Sequence, residues 1–143
     1  MNKIIFLTVF ICMSFASCST SKTAAKEVSI EGTWELNYIT GPKIAFNGLF
    51  PGKKPTITFN LNDKKITGNN SCNNYFGALI MDGNEINFKD AKMGMTMMAC
   101  EGNGDSVYME ALKKIESYTI TDGGNTLNLL LGNVVMMRFT HQK

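Results

Sequence analysis

Alternation of apolar and polar residues, broken every few positions by turn formers, constrains this chain more than any other feature. In TWELNYIT (33–40), Trp34, Leu36 and Tyr38 alternate with Glu35 and Asn37, the period of a half-buried strand. TITFNL (56–61) repeats it with Ile57, Phe59 and Leu61 on one face, and NDKK turns the chain into KITG (65–68). ALIM leads through the DGN turn at 82–84 into EINFKD (85–90), with Ile86 and Phe88 inward. Asp-Gly between alternating runs signals a hairpin. The C-terminal part continues as hairpins: YTIT, a DGGN turn, TLNLLL, a GN turn at 132–133, and VVMMRFT. Its last two runs are apolar at consecutive positions, which predicts central strands covered on both faces.

One segment departs from the period of two. In NGDSVYMEALKKIES (103–117), Val107, Tyr108, Ala111, Leu112 and Ile115 form a helical apolar stripe, with Asn103 or Asp105 available as a cap. The stretch GPKIAFNGLFPGKKP (41–55) holds all three prolines and reads as a long loop over one end of the sheet. Its Phe46, Leu49 and Phe50 are expected to cover the core. The fold class is therefore mainly β with one helix (α+β). About eight strands form a strongly curved antiparallel sheet or small barrel, and the helix packs against it.

The N-terminal residues obey other rules. Lys3 followed by an apolar run from Ile4 to Met13 and then small residues is a signal peptide, too short for a comfortable membrane span. FASC resembles a bacterial lipobox ending on Cys18, whereas Ser14 and Ala16 also fit an ordinary signal peptidase. The organisation expected is a lipoprotein signal peptide over 1–17, lipidated Cys18 with a flexible tether to 30, and one domain over 31–143. Ser19 after the cysteine lacks the aspartate associated with inner-membrane retention. The expected location is thus the outer membrane of a Gram-negative bacterium, facing the periplasm or the surface. A cysteine carrying several acyl chains anchors firmly.

Charge excludes one class of partner. Fourteen basic and twelve acidic residues nearly balance, the lysines are dispersed, and Arg138 is the only arginine, so nucleic acid is not an expected partner. Cysteine usage is more informative. With Cys12 in the signal and Cys18 lipidated, Cys72 and Cys100 remain, and an even remainder in an exported chain suggests a disulfide. Such a bond would close a loop of about 29 residues, worth roughly 3.6 kcal/mol on the chain-entropy account. The alternative is two free, buried thiols.

The stretch GNNSCNNYFG (68–77) gathers four asparagines around Cys72, although asparagine is a poor residue in strands and in helix interiors. Gly68 and Gly77 bracket what reads as a bulged or turning segment, with the asparagine side chains bonded to its backbone. Together with GTWEL, PTITF, MTMMAC and LNLLL…VVMMRF, this stretch resembles the META domain family, the HslJ-like bacterial lipoproteins, over about 31–140. The motif residues are Gly68, Cys72, Asn73, Tyr75 and Gly77, matched with Thr96, Met97, Met98, Ala99 and Cys100. Ser71 stands where the family commonly has glycine, which weakens any claim that this backbone position demands a positive φ. The resemblance implies a small β-rich, often lipid-anchored domain linked to envelope stress, with no established catalytic residue; no cofactor is expected.

Function is accordingly expected to be non-enzymatic: a lipid-anchored envelope protein acting in stress tolerance through contacts with an envelope protein that the sequence does not identify. His141, the only histidine, is two residues from the end and is expected to be frayed and solvated, so no nucleophile–base arrangement is evident. The alternative is a small-ligand or Cu(I)-binding module. Met93, Met95 and Met97 alternate in MGMTMMAC, and thioethers select Cu(I), although methionine is also a common core filler. Trp34, Phe46, Phe50 and Phe76 could rim an apolar ligand site, but each is more often core.

Overall fold

The computed structural model describes residues 28–143. The expected signal peptide, the expected lipidation site Cys18 and the expected tether up to residue 27 lie outside the described residues. The elements run β1 (Gly32–Ile39), α1 (Phe46–Leu49), β2 (Thr56–Asn60), β3 (Lys65–Asn69), β4 (Asn74–Ala78), β5 (Met81–Asp82), β6 (Glu85–Ile86) and β7 (Gly94–Met95). Then follow α2 (Gly104–Leu112), β8 (Ser117–Thr121), a 3-10 turn (Asp122–Gly124), β9 (Thr126–Leu131) and β10 (Val134–Gln142).

The strands of the described residues join one antiparallel sheet in the order β5-β6-β8-β9-β10-β1-β2-β3-β4-β7. It curls around the core without closing, because β5 and β7 are its two ends and do not pair with each other. Ten strands appear among the described residues, where periodicity predicts about eight. The two that escaped are β4 and β7, which lie in the asparagine-rich and methionine-rich stretches. Register shifts interrupt the ladders between Leu36 and Tyr38 and between Val135 and Met137. Such bulges sharpen the local twist.

The first bulge also corrects the expected facing of β1. Trp34 and Leu36 are fully buried, but the extra residue turns Tyr38 outward, where the Arg138 guanidinium lies 5.2 Å from its ring centroid. Leu61, expected inward, falls in the turn after β2 and is exposed. Strands β9 and β10 are central, as expected, but not covered on both faces: Val134 and Arg138 are exposed.

Helix α2 lies over the concave face. Tyr108 and Leu112 are fully buried, and the Tyr108 ring meets Phe139 of β10 edge-on. The helix is shorter than the 103–117 stripe. Asn103 occupies the N-cap position without a side-chain capping bond. Gly104 is required there because a Cβ would overlap the Leu49 carbonyl, so the start of α2 sits directly on the end of α1. Leu49 and Phe50 are buried, as expected for a core-covering loop. The core also reaches back to Ile30, whose carbonyl accepts a 2.8 Å bond from the Trp34 indole. His141 is not frayed: it belongs to β10, its N–H bonds Asn125 O at 3.0 Å, and its ring lies 4.5 Å from Trp34.

Candidate functional site

Antiparallel pairing places the β3–β4 turn, residues 70–73, at one end of the sheet. The chain enters at the other end, where Val28 lies against Gly124. The asparagine-rich stretch is thus a hairpin: Gly68 and Gly77 lie inside its strands, and the irregular part is the turn between them. Asparagine side chains stand in for the missing ladder. Asn70 Oδ1 accepts from the N–H groups of Cys72 and Asn73 at 3.2 and 2.6 Å, and Asn69 Oδ1 accepts from Ser71 N at 3.0 Å. These are local Asx-type bonds, the reason asparagine suits turns. Asn70 is fully buried, and its Nδ2 donates to Met95 Sδ at 3.2 Å.

Asn73 faces the other way and ties the hairpin to the segment after β7. Its Oδ1 accepts from Thr96 Oγ1 and Met98 N, both at 2.8 Å, while Nδ2 donates to Met98 O at 3.2 Å and lies 3.1 Å from Cys100 Sγ. Thr96 Oγ1 in turn accepts from Asn74 N at 3.1 Å, and Thr96 N bonds Asn74 O at 3.0 Å. Beside this clasp, Cys72 and Cys100 form a disulfide with Cα atoms 5.9 Å apart. The reading of two free, buried thiols is therefore superseded, and both cysteines are only half-buried.

Ser71 overturns the backbone expectation attached to it. Its φ is +86°, in the left-handed region where a Cβ is costly. Ser71→Gly keeps the Asn69 bond, which uses the backbone N–H, and is expected to raise stability by about 0.5–1 kcal/mol. Urea titration of the two proteins side by side would measure it.

The glycines and tyrosine of the motif belong to a second, interior arrangement. Tyr75 crosses over Gly68 so that its hydroxyl donates to Thr56 O at 2.9 Å, and a Cβ on Gly68 would overlap both partners. With that proton committed, the Tyr108 hydroxyl, 2.7 Å away, is the donor to Tyr75. Gly77 similarly makes room for Ala91 O and the Met93 side chain, which cross beneath β4. The Tyr75–Tyr108 bond was missed from sequence. The available signal was that two buried tyrosines each need a partner.

Burial raises both phenols well above the ordinary tyrosine range. For Tyr75, the neighbouring Tyr108 adds to the effect; for Tyr108, the bond to Tyr75 partly offsets it. The native state therefore keeps protons that the unfolded chain releases near pH 10. The stabilisation is fully present below that pH and falls above it by about 1.4 kcal/mol per pH unit for each tyrosine. Alkaline unfolding should begin above pH 10, and Tyr108→Phe should roughly halve the slope of stability against pH.

The remaining motif residues form a surface. Met97 is 89% and Met98 59% exposed, with Ala99 also exposed and Phe76 62% exposed on the neighbouring strand. The Phe76 ring covers Gly94, its register partner on β7. The proposed copper trio is dissimilar in setting: Met93 packs against the core, Met95 accepts a bond from Asn70, and Met97 faces solvent. Cys100 is committed to the disulfide. Of the suggested aromatic rim, Trp34 and Phe50 are core, Phe46 packs against it, and only Phe76 is exposed.

The META domain family model matches residues 26–143 of this chain. A search of the curated proteins finds no match. Solved structures share the fold. The NMR structure of a protein from Burkholderia xenovorans is 22% identical, with 84% of this chain and 87% of that chain covered and a TM-score of 0.62. A DUF4847 family protein from Bacteroides vulgatus is 20% identical, with 79% and 94% covered and a TM-score of 0.52.

Proposed function

Since this chain belongs to the META domain family, we propose that it is a non-enzymatic, lipid-anchored envelope protein that binds a protein partner through its Met97–Met98 ridge. The observation that carries this reading is a contradiction in the ridge itself: its side chains are apolar and exposed, yet its backbone is fixed by Asn73 and the disulfide. Holding apolar side chains in water gains nothing for folding. A pre-ordered ridge, however, meets a partner with little further entropy loss, and methionine adapts its shape to the surface it meets.

Two further features support the reading. The ridge lies at the end of the sheet opposite Val28, so a domain tethered through Cys18 would present it away from the membrane. Among the described residues, His141 packs its ring on Trp34, and both buried phenols are held protonated, their pKa raised by burial. Stress tolerance is the setting that the family resemblance supports.

The test is a photo-crosslinking residue at Met97 in the full chain, expressed in its native envelope, with a second probe at Lys65 at the opposite end of the sheet. Discrete crosslinked proteins at Met97 and not at Lys65 are expected. Equal or absent crosslinking would reject the ridge as the binding surface. Cys18→Ser should move the protein to the soluble fraction; unchanged membrane retention would reject the anchor.

A further inference from the structure

The geometry points to the Cys72–Cys100 disulfide as a site of thiol exchange in the folded protein, with a thiolate attacking Cys72 and Cys100 departing as the stabilised thiolate. Three observations meet here, independent of whether the ridge binds a partner. Both cysteines are half-buried, so the bond lies at the surface and not in the core. Beside it stands an asymmetric donor: Asn73 Nδ2 is 3.1 Å from Cys100 Sγ but 3.6 Å from Cys72 Sγ. The surrounding loop is also held without the disulfide, through the Asn73 bonds to Thr96 and Met98 and the Thr96–Asn74 backbone bond.

The chemistry follows from which sulfur leaves better. In thiol–disulfide exchange the rate depends on which sulfur is attacked and on how readily the other accepts negative charge. A carbonyl oxygen stands near each sulfur, Met98 O 3.5 Å from Cys100 Sγ and Ala99 O 3.8 Å from Cys72 Sγ, so these largely offset each other. The amide hydrogen bond is the difference, and bonds to charged groups are the stronger ones. An incoming thiolate, RS⁻, forms a bond to Cys72 Sγ as the Cys72–Cys100 bond breaks. The electron pair goes to Cys100 Sγ, where Asn73 Nδ2–H receives it. Cys100 S⁻ then either attacks the Cys72 mixed disulfide and expels RS⁻, restoring the original bond, or stays reduced when a second thiolate takes RS from Cys72 as RSSR.

This role differs from that of an inert staple, because the clasp keeps the two sulfurs close after the bond opens. Asn73 is a positioning residue for the exchange, since it acts on the departing sulfur and not on the attacking thiolate.

The test uses the folded chain with reduced glutathione as the probe, quenched with iodoacetamide and mapped by peptide mass spectrometry while circular dichroism follows the fold. Glutathione is expected on Cys72 and carbamidomethyl on Cys100, with a bias of about three- to tenfold over the reverse pattern, and with an unchanged spectrum. Asn73→Asp, which replaces the donor by a carboxylate oxygen, should erase the bias; a bias that survives would overturn the role of Asn73. If Asn73→Asp fails to fold, the mapping on the unaltered chain decides alone. Glutathione chiefly on Cys100, or no adduct until urea unfolds the chain, would overturn the proposal.

Discussion

Asn73→Ala should cost the domain about 3–5 kcal/mol, more than a surface turn residue ordinarily would. The side chain is almost wholly buried and satisfies three groups at once: Thr96 Oγ1, Met98 N and Met98 O. Alanine leaves them without that partner; the three bonds are part-buried, so each group so orphaned costs toward the lower end of about 1–3 kcal/mol. The disulfide will hold residue 100 in place but not Thr96 and Met98, so the loss should fall on the segment that presents the ridge. Urea unfolding with the disulfide intact would give the free energy, and amide exchange at Met98 would locate the opening. Exchange at Met98 unchanged from the parent protein would mean that Asn73 does not hold this loop. Asn73→Asp retains an acceptor for Thr96 and Met98 N while losing the donor, so it should cost less than alanine.

Gly68→Ala should be comparably severe, at about 3–5 kcal/mol, for a different physical reason. Gly68 has no special backbone angle; its constraint is space. An added Cβ would overlap Thr56 O, which belongs to the neighbouring strand, and the Tyr75 ring and hydroxyl. The carbonyl is fixed by the ladder, so the tyrosine must yield. Moving it forfeits the bonds to Thr56 O and Tyr108 inside the core, adding lost hydrogen bonds to overpacking of about 1–3 kcal/mol. Thermal unfolding would show the loss. Tyr75→Phe combined with Gly68→Ala should lose less than the sum of the two single changes, because the same interactions are removed by either. Full additivity would show that the glycine and the tyrosine are not coupled through this crossing.

Wherever side-chain alternation carried information, the fold was legible before any coordinates. Trp34, Leu36, Ile57, Phe59, Ile86 and Phe88 are all core positions that the period of two picks out. It failed where the ladder is irregular. Tyr38 reverses its face because a bulge adds a residue that no pattern marks, and β4 stayed hidden because asparagine and glycine have weak strand preference. Cysteine arithmetic anticipated the Cys72–Cys100 pair, since counting does not depend on geometry. The asparagines around it were recognisable as backbone-satisfying residues, but not which backbone each would satisfy.

Local chemistry is what a chain carries in linear form: strand periodicity, turn residues, a helical stripe and the parity of its cysteines. From these came the mainly β class, the single main helix and the pairing of Cys72 with Cys100. Tertiary structure settled the matters that require two distant segments to meet. Asn73 reaches across to Met98, Gly68 opens a slot for Tyr75, and Tyr75 meets Tyr108 of the helix. Hydrogen bonds and steric gaps act over a few ångströms, so sequence spacing cannot say which partners will close them.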